Sequence, residues 1–334
     1  MTRPIRIKSP HIKYWAAAAA TATLLLAGAA QGAEWRGWNI HVPDYPVSLG
    51  MDQFTAEIAE KTNGRLTAKT YHSGVLGNQP DAIEQMRLGS IDFAVFNLGP
   101  MGQVVPATNV VNLPFIFKDL DHMHRVVDGP VGEQLSEAMS EKGLVALAWY
   151  DSGSRSFYNS KKPIATPDDV KGLKVRVMNN DLFVDMISAM GGNATPMAFS
   201  EVYSSIKTGV VDGAENNWAS YDSTGHYEVA GYYSDTEHLI IPECLCVSTA
   251  LWDSLSDEDK EIVRTAALSS AKLQRELWAK RDQASRDKVL AAGVKYNEIA
   301  DKTAFQAAMT PVYDKFIAAN PDLDGLVKAI QAVD

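Results

Sequence analysis

Alternating and 3.6-residue hydrophobic spacings follow one another along most of the 334-residue chain and predict an α/β architecture of repeated βα units. Residues 35–41, ending at His41, alternate apolar and polar positions as a first strand. Met51, Phe54 and Ile58 then share one helical face, with Ser48 as the expected cap and Asn63-Gly64 as the stop. Residues 66–71 read as a second strand, and Pro80 opens a short helix that Gly89 closes. Residues 91–97, ending at Asn97, are an apolar run of the kind buried in parallel sheets. Helical spacing over 119–142 breaks at Gly129-Pro130, and a continuous apolar strand over 144–150 leads through Tyr150 into Asp151-Ser-Gly-Ser-Arg155.

The second half repeats the plan. Thr166-Pro-Asp-Asp169 offers a cap, a proline at the first helical position and an acid three residues after the cap, so a short helix precedes the strand-like Gly172-Leu-Lys-Val-Arg-Val177. Ser200 and Gly209 bracket another helix. Gln85-Met-Arg-Leu-Gly-Ser-Ile-Asp92 and Ser205-Ile-Lys-Thr-Gly-Val-Val-Asp212 share a helix end, a glycine, apolar positions and an aspartate, which suggests one building plan for two lobes. Helical spacing from Ser256 to Ala292, with Ile262, Ala266 and Leu273 on one side, spans about 35 residues where globular helices average about 12. That length predicts a helix crossing two domains or spanning an outer surface. Residues 294–299 return as a strand, and 301–334 read as two amphipathic helices separated by Asn320-Pro321.

The opening residues stand apart from this plan. Arg3, Arg6, Lys8 and Lys13 precede an apolar Ala, Thr and Leu run, the pattern of a secretory signal peptide over residues 1–33, with cleavage expected between Ala30 and Glu34. The remaining roughly 300 residues exceed what one core usually serves and predict two domains. Loss of the four leader cations moves the formal net charge from −10 to −14, which opposes non-specific binding to nucleic acid or anionic lipid. An anionic ligand must therefore be won locally. Cys244 and Cys246, the two cysteines, alternate on a strand and read as buried residues rather than a disulfide. The chain has no Gly-x-Ser-x-Gly, Gly-x4-Gly-Lys-Ser/Thr, His-Glu-x-x-His or Cys-x-x-Cys motif, which weakens an enzymatic reading, although paired carboxylates leave no linear pattern.

Candidate chemistry centres on Arg176. Alternation places Lys174 and Arg176 on the strand face opposite Leu173, Val175 and Val177; on a central strand such an arginine must be paired or must open into a cleft. Its planar fork of donors matches a carboxylate bidentately, and the amide of Asn216, in Asp212-Gly-Ala-Glu-Asn-Asn217, can add a donor. Arg155 follows a Ser-Gly-Ser turn at a strand end, where open α/β sheets collect ligand groups. Tyr150, Phe199 and Trp218 can stack on the apolar face of a sugar, with core packing as the competing role. His41 and His238 end strands and can touch a ligand or serve structurally, whereas His122 and His124, two apart on a helix, diverge and form no metal pair.

Gly172-Leu-Lys-Val-Arg-Val177, residues 198–203 and Asp212-Gly-Ala-Glu-Asn-Asn217, preceded by the Leu-Gly and short helix of 76–88, Leu113-Pro-Phe-Ile-Phe117, Gly153-Ser-Arg155 and Lys162-Pro-Ile164, resemble the extracytoplasmic solute-binding proteins of TRAP transporters across the mature chain. The resemblance implies a two-lobed periplasmic-binding-protein fold with crossing hinge strands and a long bracing helix. Residues 34–153 would form mainly the first lobe and 154–243 mainly the second, with 244–334 supplying a crossing strand, the long helix and helices packing back on both. It implies a periplasmic receptor, monomeric and without cofactor or metal, that hands a small organic acid to TRAP membrane subunits. Arg176 matches the carboxylate-binding arginine, Asn216 its partner, Phe199 a cavity aromatic and Arg155 a supporting arginine; Asn179, Gln79, Asn97, Tyr150, His41 and Trp218 complete the expected contacts. Segments such as His41-Val-Pro-Asp-Tyr45 and Thr236-Glu-His-Leu-Ile-Ile-Pro-Glu243 are most similar to members that take uronates and related sugar acids. Asn78-Gln79-Pro80 and Phe96 depart from the usual pattern in the part of the pocket that reads hydroxyls. A four-carbon dicarboxylate or keto acid is the rival ligand, and a secreted sugar-acid enzyme the rival class.

Overall fold

The computed structural model describes Met1 and residues 34–334. The expected leader and its cleavage point lie outside the described residues, Met1 apart. Strands are β1 (Trp35–Trp38), β2 (Ala68–Tyr71), β3 (Phe93–Asn97), β4 (Leu144–Tyr150), β5 (Ser154–Asn159), β6 (Lys174–Val177), β7 (Asn193–Pro196), β8 (Gly213–Asn216), β9 (Tyr232–Ile240), β10 (Glu243–Ser248) and β11 (Lys295–Glu298).

They form two mixed sheets, ordered β2-β1-β3-β10-β4 and β11-β9-β5-β8-β6-β7. In the first, β1 runs parallel to β2 and β3, and β10 enters antiparallel between β3 and β4. In the second, β6 is parallel to both β7 and β8, while β5 is antiparallel to β8 and β9. The chain changes sheet through residues 151–153 after β4 and returns through Ile241 and Pro242 before β10. Both crossings are too short to leave the space between the sheets.

The repeated eight-residue pattern has a common local structure. Gly89 and Gly209 end their helices at φ 74° and 76°, a left-handed turn that glycine adopts without steric cost. Asp92 Oδ2 then accepts from Arg36 N at 2.7 Å, and Asp212 Oδ2 from Lys174 N at 2.8 Å, so each aspartate pins the start of the neighbouring parallel strand.

Helix Asp257–Ala291, capped by Ser256 Oγ accepting from Asp259 N at 3.2 Å, extends for about 50 Å and ties the two sheets together. Its buried stripe runs through Val263, Ala267, Ala271 and Trp278, leaving Ile262 and Leu273 only half-buried. Small residues on that stripe let the helix lie close to Phe54, Phe93 and Leu245 in one continuous core. Gln274 holds the first crossing at both groups of Asp151, accepting from its N–H at 2.9 Å and donating to its carbonyl at 2.8 Å.

Several local expectations need correction, among them the first strand, which ends at Trp38, short of His41. The first helix, Pro46–Lys61, is started by Pro46 with its preset φ, and Ser48 lies inside the first turn, donating to Val42 O at 2.7 Å. The tail holds helices Thr303–Ala308, Thr310–Ala319 and Asp324–Gln331, because Pro311 lacks the N–H needed to continue the first of them. The strand carrying Arg176 is shorter than its sequence pattern, beginning at Lys174. Cys244 and Cys246 are free and buried on β10.

Candidate functional site

A cavity of about 70 Å³ lies between the sheets beside both crossings. It brings together Arg176, Asn216, Arg155, Phe199, Asn179, Gln79, Asn97 and His41 from widely separated parts of the chain.

Arg176 sits on β6, flanked in register by Thr195 of β7 and Ala214 of β8, and is 3% exposed. Its Nε and Nη2 donate to the Met197 carbonyl at 3.0 and 2.8 Å, and the Phe199 ring centre lies 5.9 Å from the guanidinium carbon. Among the described residues no carboxylate lies within ion-pair distance of it. Burial accordingly pushes its pKa down to about 10, the direction expected when a cation loses water without gaining an anion.

Arg155, equally buried on β5, is in the opposite situation. Its Nε and Nη2 grip the Glu215 carboxylate at 2.6 and 2.9 Å, Nη2 also reaches the Glu215 carbonyl at 2.7 Å, and Nη1 donates to Asn216 Oδ1 at 2.7 Å. Glu215 is fully buried, so the pair is neutral overall and already desolvated. Asn216 Oδ1 also accepts from Asn217 N at 2.9 Å, and among the described residues Asn216 Nδ2 has no hydrogen-bond partner. The Asn216 amide is therefore oriented by Arg155 rather than by Arg176.

The wall from the first sheet is built differently. Gln79 braces the end of β3, donating to Asn97 O at 2.7 Å and accepting from Asn97 N at 3.3 Å. Asn97 Oδ1 caps the next helix by accepting from Gly99 N at 3.0 Å, while its Nδ2 donates to Glu243 Oε1 at 3.3 Å. The His41 ring stacks on Tyr45 at 4.0 Å, and its Nε2 lies 3.6 Å from Glu243 Oε1 without a hydrogen bond. Among the described residues Asn179 Oδ1 is buried without a partner.

Two expected contacts lie elsewhere. Tyr150 is buried beneath the long helix, where its hydroxyl meets Ser270 Oγ at 2.7 Å. Trp218 stacks on Tyr233 at 3.5 Å and packs into a tyrosine cluster away from the cavity. Of the histidines, His122 Nε2 meets Ile330 O while His124 Nε2 meets Asp151 Oδ1, so the two point apart. His238 stacks on Phe157 at 4.4 Å behind the cavity wall. Glu243, Ser152 and Ser220 line the cavity and were missed. For Glu243 the available signal was an acid opening the otherwise apolar run that follows Ile-Ile-Pro.

A closed-in cleft between two α/β sheets, with double crossings, a bracing helix and a buried unpaired guanidinium, defines a receptor for a small organic anion. The chain belongs to bacterial extracellular solute-binding protein family 7, the periplasmic receptors of TRAP transporters, whose family model matches residues 20–320. A solute-binding protein of Chromohalobacter salexigens is 60% identical over 302 residues, 90% of each chain. A TRAP periplasmic solute-binding protein of Sulfitobacter sp. NAS-14.1, solved with bound β-D-galacturonate, is 63% identical with TM-score 0.88, covering 89% of this chain and 99% of that one. One from Chromohalobacter salexigens, solved with bound D-glucuronate, is 60% identical with TM-score 0.89, covering 90% and 100%.

Proposed function

We propose that the cavity captures a uronate and that Arg176, with Asn216 lining the same cavity, receives the carboxylate. The observation that carries this reading is the contrast between the two buried arginines. Arg155 is neutralised by Glu215, whereas Arg176 has backbone partners and no anion, so the site offers one uncompensated cation and suits a ligand with one carboxylate. That favours a uronate over a four-carbon dicarboxylate, and the galacturonate and glucuronate bound by the two solved relatives support the same class.

The two sheets, each with its helices, act as lobes that close on the ligand. While the cleft is open Arg176 keeps water, and closure removes that water at a cost unless a carboxylate replaces it, so the ligand stabilises the closed population through differential contacts. A micromolar dissociation constant needs about 8 kcal/mol, more than one ion pair supplies, and leaves a share for Phe199 and the polar wall around Glu243. No bond of the ligand is made or broken, and the loaded receptor delivers it to the membrane subunits.

The test is a thermal-shift screen of the mature protein against D-glucuronate, D-galacturonate, aldonates, four-carbon dicarboxylates and keto acids, with NMR of each hit after incubation. At a hundredfold excess over its dissociation constant a ligand adds about 2.7 kcal/mol to stability. A uronate hit recovered unchanged is the expected result. A dicarboxylate hit would overturn the ligand class, and conversion of the hit would overturn the receptor reading.

A further inference from the structure

We propose that Glu243 is the specificity determinant of the site, a carboxylate that accepts from sugar hydroxyls and repels a second carboxylate at that end of the ligand. The inference rests on the uronate reading above and concerns the wall that does not carry Arg176.

Glu243 opens β10 directly after the second crossing and is 3% exposed, yet it lines the cavity. Among the described residues its carboxylate receives one hydrogen bond, from Asn97 Nδ2 to Oε1 at 3.3 Å, and Oε2 receives none. A carboxylate so deeply placed ordinarily gathers several donors or a cation, because each unmet lone pair costs desolvation free energy. The neighbouring polar atom is equally under-used: His41 Nε2 is buried, unbonded and 3.6 Å from Glu243 Oε1. That separation is too long for a hydrogen bond, but one hydroxyl oxygen can sit about 2.8 Å from both atoms, donating to the carboxylate while facing the imidazole nitrogen. The ring is stacked on Tyr45, whose own hydroxyl meets Ser220 Oγ at 2.9 Å, and this stack favours its present orientation.

The cavity is thus cationic on the wall from the second sheet and anionic on the wall from the first. A pyranose uronate matches both, with one carboxylate and a ring of hydroxyl donors away from it. An aldarate, in which a second carboxylate terminates the same carbon chain, meets Glu243 with like charge in a water-poor site.

Calorimetric titration of wild type and Glu243→Gln with D-glucuronate, D-galacturonate, D-glucarate and galactarate tests this. Wild type is expected to bind its better uronate at least tenfold more tightly than either aldarate, a comparison that requires no variant. Glu243→Gln, which keeps an acceptor for Asn97, is expected to weaken the uronate at least tenfold and to shift the uronate-to-aldarate affinity ratio at least tenfold toward the aldarate. A structural role alone would weaken all ligands in proportion. An unchanged ratio, or wild-type aldarate affinity equal to that for the uronate, overturns the proposal while leaving the uronate reading intact. Failure of wild type to bind either uronate overturns both.

Discussion

Arg155 and Glu215 form a bidentate pair at 2.6 and 2.9 Å in which both side chains are buried, and this pair is what leaves Arg176 as the cavity's uncompensated cation. Removing one partner strands the other. Glu215→Ala is expected to lower unfolding free energy by about 3–5 kcal/mol, whereas Arg155→Met combined with Glu215→Leu recovers much of the loss, because paired buried charges are expensive to break and cheap to replace together. Urea denaturation of the three proteins measures this; a Glu215→Ala cost below about 1 kcal/mol would contradict the pairing.

The first crossing depends on a glycine. Gly153 has φ 61°, and an added Cβ would come within 2.9 Å of Trp278 Nε1. Trp278, on the buried stripe of the long helix, is 1% exposed and packed in the core. Gly153→Ala is expected to cost about 1–3 kcal/mol through left-handed strain and the clash, read as a lowered midpoint in thermal or urea unfolding. An unchanged midpoint would mean that the crossing adapts freely.

Asp282, on the long helix, has its carboxyl pushed up to about 6, first by burial and then by the nearby charges of Asp235 and Glu237; hydrogen bonding from the Ala219 backbone and the charge of Arg286 act the other way. A carboxyl whose folded pKa exceeds its unfolded value binds protons more readily when folded, so its contribution is present at low pH and is lost as pH rises through about 4 to 6. Asp282→Asn is therefore expected to stabilise the protein by about 1–3 kcal/mol at pH 8 and by little at pH 4. His226 and His238, pushed down to about 3 chiefly by burial, work in the opposite sense, since their neutral forms favour the fold above about pH 6.5 and that advantage fades as pH falls toward 3. Urea titrations of wild type and variant at both pH values test the asymmetry, and an equal gain at pH 4 and pH 8 would contradict it.

The sequence was most informative where one local rule dominated. Residues 144–150 form β4 with the expected bounds because a continuous apolar run has few alternatives to a buried strand, and the break at Gly129-Pro130 separates two helices as expected. Arg176 stood out, with Lys174, as a charge on the polar face of an alternating strand. Glu243 did not, because what makes it notable, its proximity to Asn97 and His41, joins residues far apart in sequence. Tyr150 and Trp218 show the converse limit. Periodicity assigns a side chain to a face, but which face meets the cavity is decided by how the sheets and the long helix pack, and here both aromatics face core. Arg155 was legible as a cavity residue, yet its neutralisation by Glu215 depended on the antiparallel register of β5 with β8, which pairs Phe157 with Glu215 and Ser156 with Asn216.

The most direct measurement of the central claim is calorimetric titration of D-glucuronate and D-galacturonate into wild type and Arg176→Lys. A lysine ammonium cannot both hold the Met197 carbonyl and present a planar pair of donors to a carboxylate, so binding of the better uronate is expected to weaken about a hundredfold while the ligand-free unfolding midpoint stays near that of wild type. Uronate affinity in Arg176→Lys within about threefold of wild type would contradict the assignment of Arg176 as the carboxylate anchor.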